Sequence, residues 1–153
     1  IELILNSFIN LKTHKIVIIG NWDKDHYGSQ LKKKYGHYEN IYLVDAIYEL
    51  NELNYLRSNA KVYIHGHSAG GTNPALVEAM NLGLPIFTYS SGFNEYTTHG
   101  YAKYFSTSEC LKELINNTKT NDLKNLGDKM KKIALENYTW NIISEKYKNI
   151  FRL

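Results

Sequence analysis

The sequence has a single cysteine, Cys110, so it cannot form an intrachain disulfide, and this scarcity fits a reducing compartment. No apolar run reaches the ~18–20 residues of a membrane span. Charge of one sign is also scarce: the net charge of +3 falls short of a nucleic-acid-binding signature, and no nucleic-acid partner is expected. That mild positive charge suits an anionic small ligand or an anionic membrane surface. The run Lys32, Lys33 and Lys34 falls in a helical segment and reads as a solvated face. There is no repeat, low-complexity tract or evident linker. Ile1 is not a natural start, and the helical spacing of Ile1, Ile4, Leu5, Phe8 and Ile9 carries no secretory pattern, so the true N-terminus is expected upstream.

What is present is ordinary for a soluble globular protein. In 153 residues, 43% are hydrophobic and 22% charged, enough for one domain with a real core. Short β-branched runs alternate with helical periodicities. The spacing predicts a helix over Ile1–Lys12, a strand over Lys15–Ile19 closed by Gly20, and a helix over Tyr27–Tyr35 stopped by Gly36. A strand over Asn40–Val44, a helix over Glu49–Ser58 and a strand over Lys61–Ile64 follow. Pro74 opens a helix to Asn81, capped by Thr72 or Asn73 and stopped by Gly83. A strand over Leu84–Tyr89, a short one at Tyr104–Phe105, and helices over Ser106–Asn117, Asp122–Asn137 and Thr139–Phe151 complete the chain.

This alternation implies an α/β fold, a Rossmann-like parallel sheet with helices on both faces. Such a sheet normally begins with a central strand, whereas this chain opens on a helix, so a first strand is expected before Ile1. Ligands of such sheets sit beyond the carboxyl ends of the strands. Of the loops there, Gly20–His26, Asp45–Tyr48 and His65–Asn73, the last is the most unusual.

That loop admits three readings. Gly66, Ser68 and Gly70 match the G-x-S-x-G elbow of serine hydrolases between a strand and a helix. Against it, Pro74 starts the helix several residues late. No separate acid and histidine follow Ser68 in the required order either: Glu78 lies on the next helix, and Glu95 is four residues from the last histidine, His99. A metal site is the second reading, since His65 and His67 share a face; a third ligand would have to come from Glu78, His99 or Cys110. The third reading is an anion cradle, in which Gly70, Gly71, Thr72 and Asn73 bring backbone N–H groups and a helix N-terminus to a phosphate. The same glycines also suit a turn that binds nothing. Glu78 stands in a helix apolar on nearly every face, where a carboxylate needs a partner. That partner is either the vicinal hydroxyls of a ribose or a neighbouring lysine or histidine.

The segment Leu76–Ile86 resembles the donor-site helix and following strand of family 4 glycosyltransferases, enzymes of the GT-B fold. Asn40–Asp45, Leu56–Ala60, and Tyr138, Trp140 and Tyr147 resemble the preceding unit and the aromatic closing helix. The family's common Glu-x7-Glu pattern is broken, because Gly70 stands eight residues before Glu78. The version His65–Pro74, with Asn21, Trp22, Tyr27, Gly28, Phe93, Asn94, Thr97 and Thr98, is similar to bacterial cell-surface polysaccharide rhamnosyltransferases. Glu95 departs from that subgroup, where arginine is commoner.

The resemblance implies the C-terminal, donor-binding half of a GT-B enzyme. Its partners would be a nucleotide diphosphate sugar such as dTDP-rhamnose, an N-terminal acceptor domain of the same protein, and a lipid-linked acceptor at the inner face of the cell membrane. By resemblance, Glu78 holds the ribose, the amides of Gly70–Asn73 face the diphosphate, and the backbone at Ile47 and Tyr48 borders the base. His67 and Ser68 contact the transferred sugar, with Asn94 also at the donor site. Transfer would retain configuration without a metal or other cofactor, and the isolated half would be inactive. The alternatives are a serine esterase using Ser68 and a nucleotide-binding or response-regulator-like module without transfer chemistry.

Overall fold

The computed structural model describes residues 1–151. In chain order the elements are α1 (Glu2–Phe8), β1 (Ile16–Ile19), α2 (His26–Tyr35), β2 (Ile41–Val44), α3 (Leu50–Ser58), β3 (Tyr63–His65) and α4 (Pro74–Asn81). They continue with β4 (Ile86–Tyr89), α5 (Gly92–Thr97), β5 (Lys103–Phe105), α6 (Ser108–Asn117), α7 (Thr120–Asn137) and α8 (Trp140–Phe151). Every strand pairing is parallel, and the chain is α/β of the Rossmann-like kind. The strands hydrogen-bond as two sheets, β1-β2 and β3-β4-β5, where the sequence pattern had implied one. They belong to two compact units, residues 1–56 with 106–117, and residues 57–105 with 118 onward.

In the first unit, β1 and β2 run in register from Ile16 opposite Ile41 to Ile19 opposite Val44. Their core receives Ile4, Leu5 and Phe8 of α1, Leu31 and Tyr35 of α2, and Leu111 of α6, all buried. Helix α1 is shorter than the periodicity implies, ending at Phe8 instead of Lys12. Beyond Phe8 the chain continues in turns, with the Leu11 N–H donating to the Phe8 carbonyl (3.1 Å) and the His14 N–H to the Leu11 carbonyl (2.8 Å). The buried Asn40 holds these turns, its Nδ2 lying within bonding distance of the carbonyls of Phe8 (2.9 Å), Leu11 (3.2 Å) and His14 (3.2 Å).

In the second unit, β4 is central, with Tyr63 of β3 opposite Ile86 and Lys103 of β5 opposite Phe87. Helix α4 packs on α7. Leu76, Ala79 and Met80 of α4 and Leu123, Leu126, Met130, Ile133 and Ala134 of α7 are all buried. Full burial of a side chain the size of Leu76 or Met80 stabilises by about 1.5–3 kcal/mol. Gly127 makes the approach possible: a Cβ there would lie 2.3 Å from the carbonyl oxygen of Gly83. Helix α5 has only six residues, too few to register as a helical period, and is set by Ser91, whose side chain accepts from the Asn94 N–H. Helix α8 buries no residue. No helix among the described residues is long and apolar enough to cross a membrane.

Candidate functional site

The candidate site of the second unit begins on β3. Tyr63, His65 and His67 alternate along the chain, so their rings share one face. The Tyr63 and His65 centroids are 6.1 Å apart, those of His65 and His67 4.7 Å, and neighbouring planes tilt by only 25° and 23°. His65 is buried, at 1% exposure, and its Nε2 has no hydrogen-bond partner among the described residues. Burial, reinforced by repulsion from His67, lowers its pKa to about 4, so the imidazole is neutral at ordinary pH. His67 and Ser68 are exposed beyond it.

The chain then crosses an open loop to α4. Gly70 has φ +119°, a conformation side-chain-bearing residues avoid, and nothing lies within 4 Å of where a Cβ would stand on Gly70 or Gly71. Asn73, not Thr72, caps α4: its side chain accepts from the Ala75 N–H at 2.9 Å, and its carbonyl accepts from Leu76 and Val77, both at 3.1 Å. With Pro74 lacking an N–H, the first turn of α4 has no spare donor. This corrects the expectation that the helix's own unpaired amides would meet an anion. The spare donors belong instead to the loop, where the N–H groups of Gly70, Gly71, Thr72 and Asn73 make no hydrogen bond among the described residues.

Asn94, at 3% exposure, anchors this loop from α5. Its Nδ2 donates at 2.9 Å to both the His67 and the Tyr89 carbonyls, which commits both amide hydrogens to holding the backbone. Ser68 precedes the start of α4 by several residues, and its hydroxyl bonds to no histidine or carboxylate among the described residues. Neither the elbow nor the proton acceptor of a serine hydrolase is assembled around it. No group of three His, Cys, Asp or Glu side chains is placed to hold a metal ion among the described residues.

Glu78 is half exposed, so α4 is not buried on every side as its apolar composition implies. Its partner is Arg57, at the end of α3, whose Nη1 donates to Oε2 at 2.7 Å. Periodicity carries no signal for a contact between residues 21 apart, and the sequence had suggested a lysine or histidine. Tyr63 senses both charges: burial raises its phenol pKa, Arg57 opposes the rise and Glu78 adds to it. Ile47 and Tyr48 belong to the first unit, on the segment after β2. There Tyr48 is 83% exposed, and its hydroxyl meets the Asn21 side chain at 3.3–3.4 Å.

No curated protein matches the sequence. Among solved structures, HepE of Anabaena in complex with UDP-glucose aligns over 99% of this chain and 45% of its own, with TM-score 0.76 and 13% identity. The pneumococcal O-GlcNAc transferase GtfA, in complex with UDP and GlcNAc, aligns over 99% and 32% (TM-score 0.69, 18% identity). WaaG, a glycosyltransferase involved in lipopolysaccharide biosynthesis, aligns over 93% and 40% (TM-score 0.64, 18% identity). At these identities the likeness is one of fold, and the chain spans less than half the length of each. The architecture is that of one half of a bipartite GT-B glycosyltransferase. Residues 1–136 match the family described as glycosyl transferases group 1, and the chain belongs to that family.

Proposed function

We propose that the second unit binds a nucleoside diphosphate sugar and that the chain is the donor half of a retaining glycosyltransferase. The observation that carries this reading is the row of unbonded amides at residues 70–73, beside the positive end of a capped helix that presents Glu78 one turn later. Amides fixed by their backbone and a helix dipole hold a diphosphate without reorganising. The remaining oxygen of Glu78 accepts a ribose hydroxyl, His67 and Ser68 border the sugar, and Asn94 acts by holding the loop. The transferred hexosyl or rhamnosyl group goes to a cell-surface polysaccharide or lipid-linked oligosaccharide at the inner membrane face. That acceptor is held by an N-terminal domain of the same protein, so this chain binds donor without catalysing transfer.

Uridine is the preferred base, because HepE and GtfA are described with UDP. A dTDP-rhamnose donor is the second reading, favoured by the resemblance of His65–Pro74 to rhamnosyltransferases. The two differ chemically at Glu78: ribose offers vicinal hydroxyls, deoxyribose only one. Titration of UDP, UDP-glucose and dTDP into the labelled chain by NMR tests both. Shifts at residues 70–73 and Glu78, with UDP about tenfold tighter than dTDP, are expected for the loss of one charge-assisted hydrogen bond. Silence at these residues with millimolar ligand overturns the assignment, and tighter binding of dTDP selects the second reading.

A further inference from the structure

We propose that Arg57 is the positioning residue for the nucleoside, fixing the Glu78 carboxylate so that one of its oxygens faces the ribose. The proposal rests on the reading of Glu78 as the ribose ligand. The two members of the pair are unequally exposed: the Arg57 side chain is 14% accessible and that of Glu78 53%. The guanidinium is therefore the fixed post and the carboxylate the group it holds. The bond is single, Nη1 to Oε2. Oε1 has no hydrogen bond among the described residues, so the pair leaves one acceptor open on a half-exposed side chain.

A glutamate on an exposed helix face otherwise samples several rotamers, and a ligand would have to restrict them on binding. Arg57 imposes that restriction beforehand. Its charge also balances that of Glu78, so the carboxylate does not present an uncompensated negative charge to an anionic diphosphate. An arginine suits this post better than a lysine, because its planar fork fixes direction as well as charge.

The test compares UDP with 2′,3′-dideoxyuridine 5′-diphosphate by calorimetry on this chain, using the ratio of the two dissociation constants. Dividing one by the other cancels any general loss of fold or charge and leaves the hydroxyl preference. The wild-type protein is expected to favour UDP about tenfold. Arg57→Gln should bring the ratio to within about twofold of one, Arg57→Lys should give an intermediate value, and Arg57→Gln with Glu78→Gln should be no lower than either alone. A merely structural role for Arg57 would weaken both ligands together and keep the tenfold ratio. If Glu78→Gln collapses the ratio while both Arg57 variants keep it, the positioning role is overturned and the ribose reading survives. If Glu78→Gln keeps the ratio, the ribose reading itself fails. Should Arg57→Gln not fold, a wild-type ratio in Arg57→Lys is the overturning result.

Discussion

His65 should make the stability of this protein fall steeply in mild acid. The perturbation is a pH change, with His65→Phe as the control that keeps a ring between Tyr63 and His67 but cannot titrate. A histidine in an unfolded chain titrates near 6.5, whereas burial among these rings holds the folded value at about 4. Between those values the unfolded chain takes up a proton that the folded chain refuses, so unfolding becomes more favourable as pH falls. The contribution is complete above about pH 6.5, is lost progressively on the way to pH 4, and changes no further below it. The gap corresponds to about 3 kcal/mol in all, of which about 2–3 kcal/mol falls between pH 7 and pH 4.5. Urea unfolding followed by circular dichroism at several pH values measures it. Carboxylates titrate in the same range, so the informative quantity is the difference between wild type and variant. At pH 7 the variant should be close to wild type, because the substitution also removes an unpartnered Nε2. Parallel pH profiles for the two proteins would refute the reasoning, since they would mean that the folded imidazole accepts a proton as readily as the unfolded one.

Three further outcomes test the scaffold. Gly127→Ala places a methyl group 2.3 Å from the Gly83 carbonyl oxygen and should cost about 1–3 kcal/mol in chemical unfolding, because both helices must shift. Asn94→Ala removes both loop-holding hydrogen bonds, and NMR order parameters at residues 66–68 should fall while those of β1 and β2 stay as before. Asn73→Ala should destabilise by about 1 kcal/mol through loss of the cap at Ala75, read as a lower urea midpoint with an unchanged slope.

The sequence made the fold legible wherever local chemistry decides the outcome. Pro74 and Gly83 bracket α4 within a residue or two, and β1 to β5 occur where β-branched or aromatic runs lie. What escaped depends on partners distant in sequence. The turns after α1 are held by Asn40, about thirty residues on, and the environment of Glu78 is set by Arg57 from another helix. The composition of α4 suggested burial all round, but only the face carrying Leu76, Ala79 and Met80 is covered. In the loop, glycine content was visible as a sign of openness. That Asn73 consumes the helix donors, while those of residues 70–73 stay unbonded among the described residues, depends on the path of the loop and leaves no mark in composition. The alternation of Tyr63, His65 and His67 was the available signal for the ring stack, and it points to a shared face without revealing that the middle ring is buried.

The backbone of Gly70 limits what can stand in its place. Where the family's common pattern carries a glutamate, this chain carries a residue at φ +119° with empty space around it. The obstacle to a side chain at that point is therefore handedness, not room. An L-residue, glutamate included, would be strained at that φ however much room it had. Placing a glutamate there is accordingly not a modular swap. It asks the loop to adopt a different path, and the free amides of residues 70–73 would be redirected along with it.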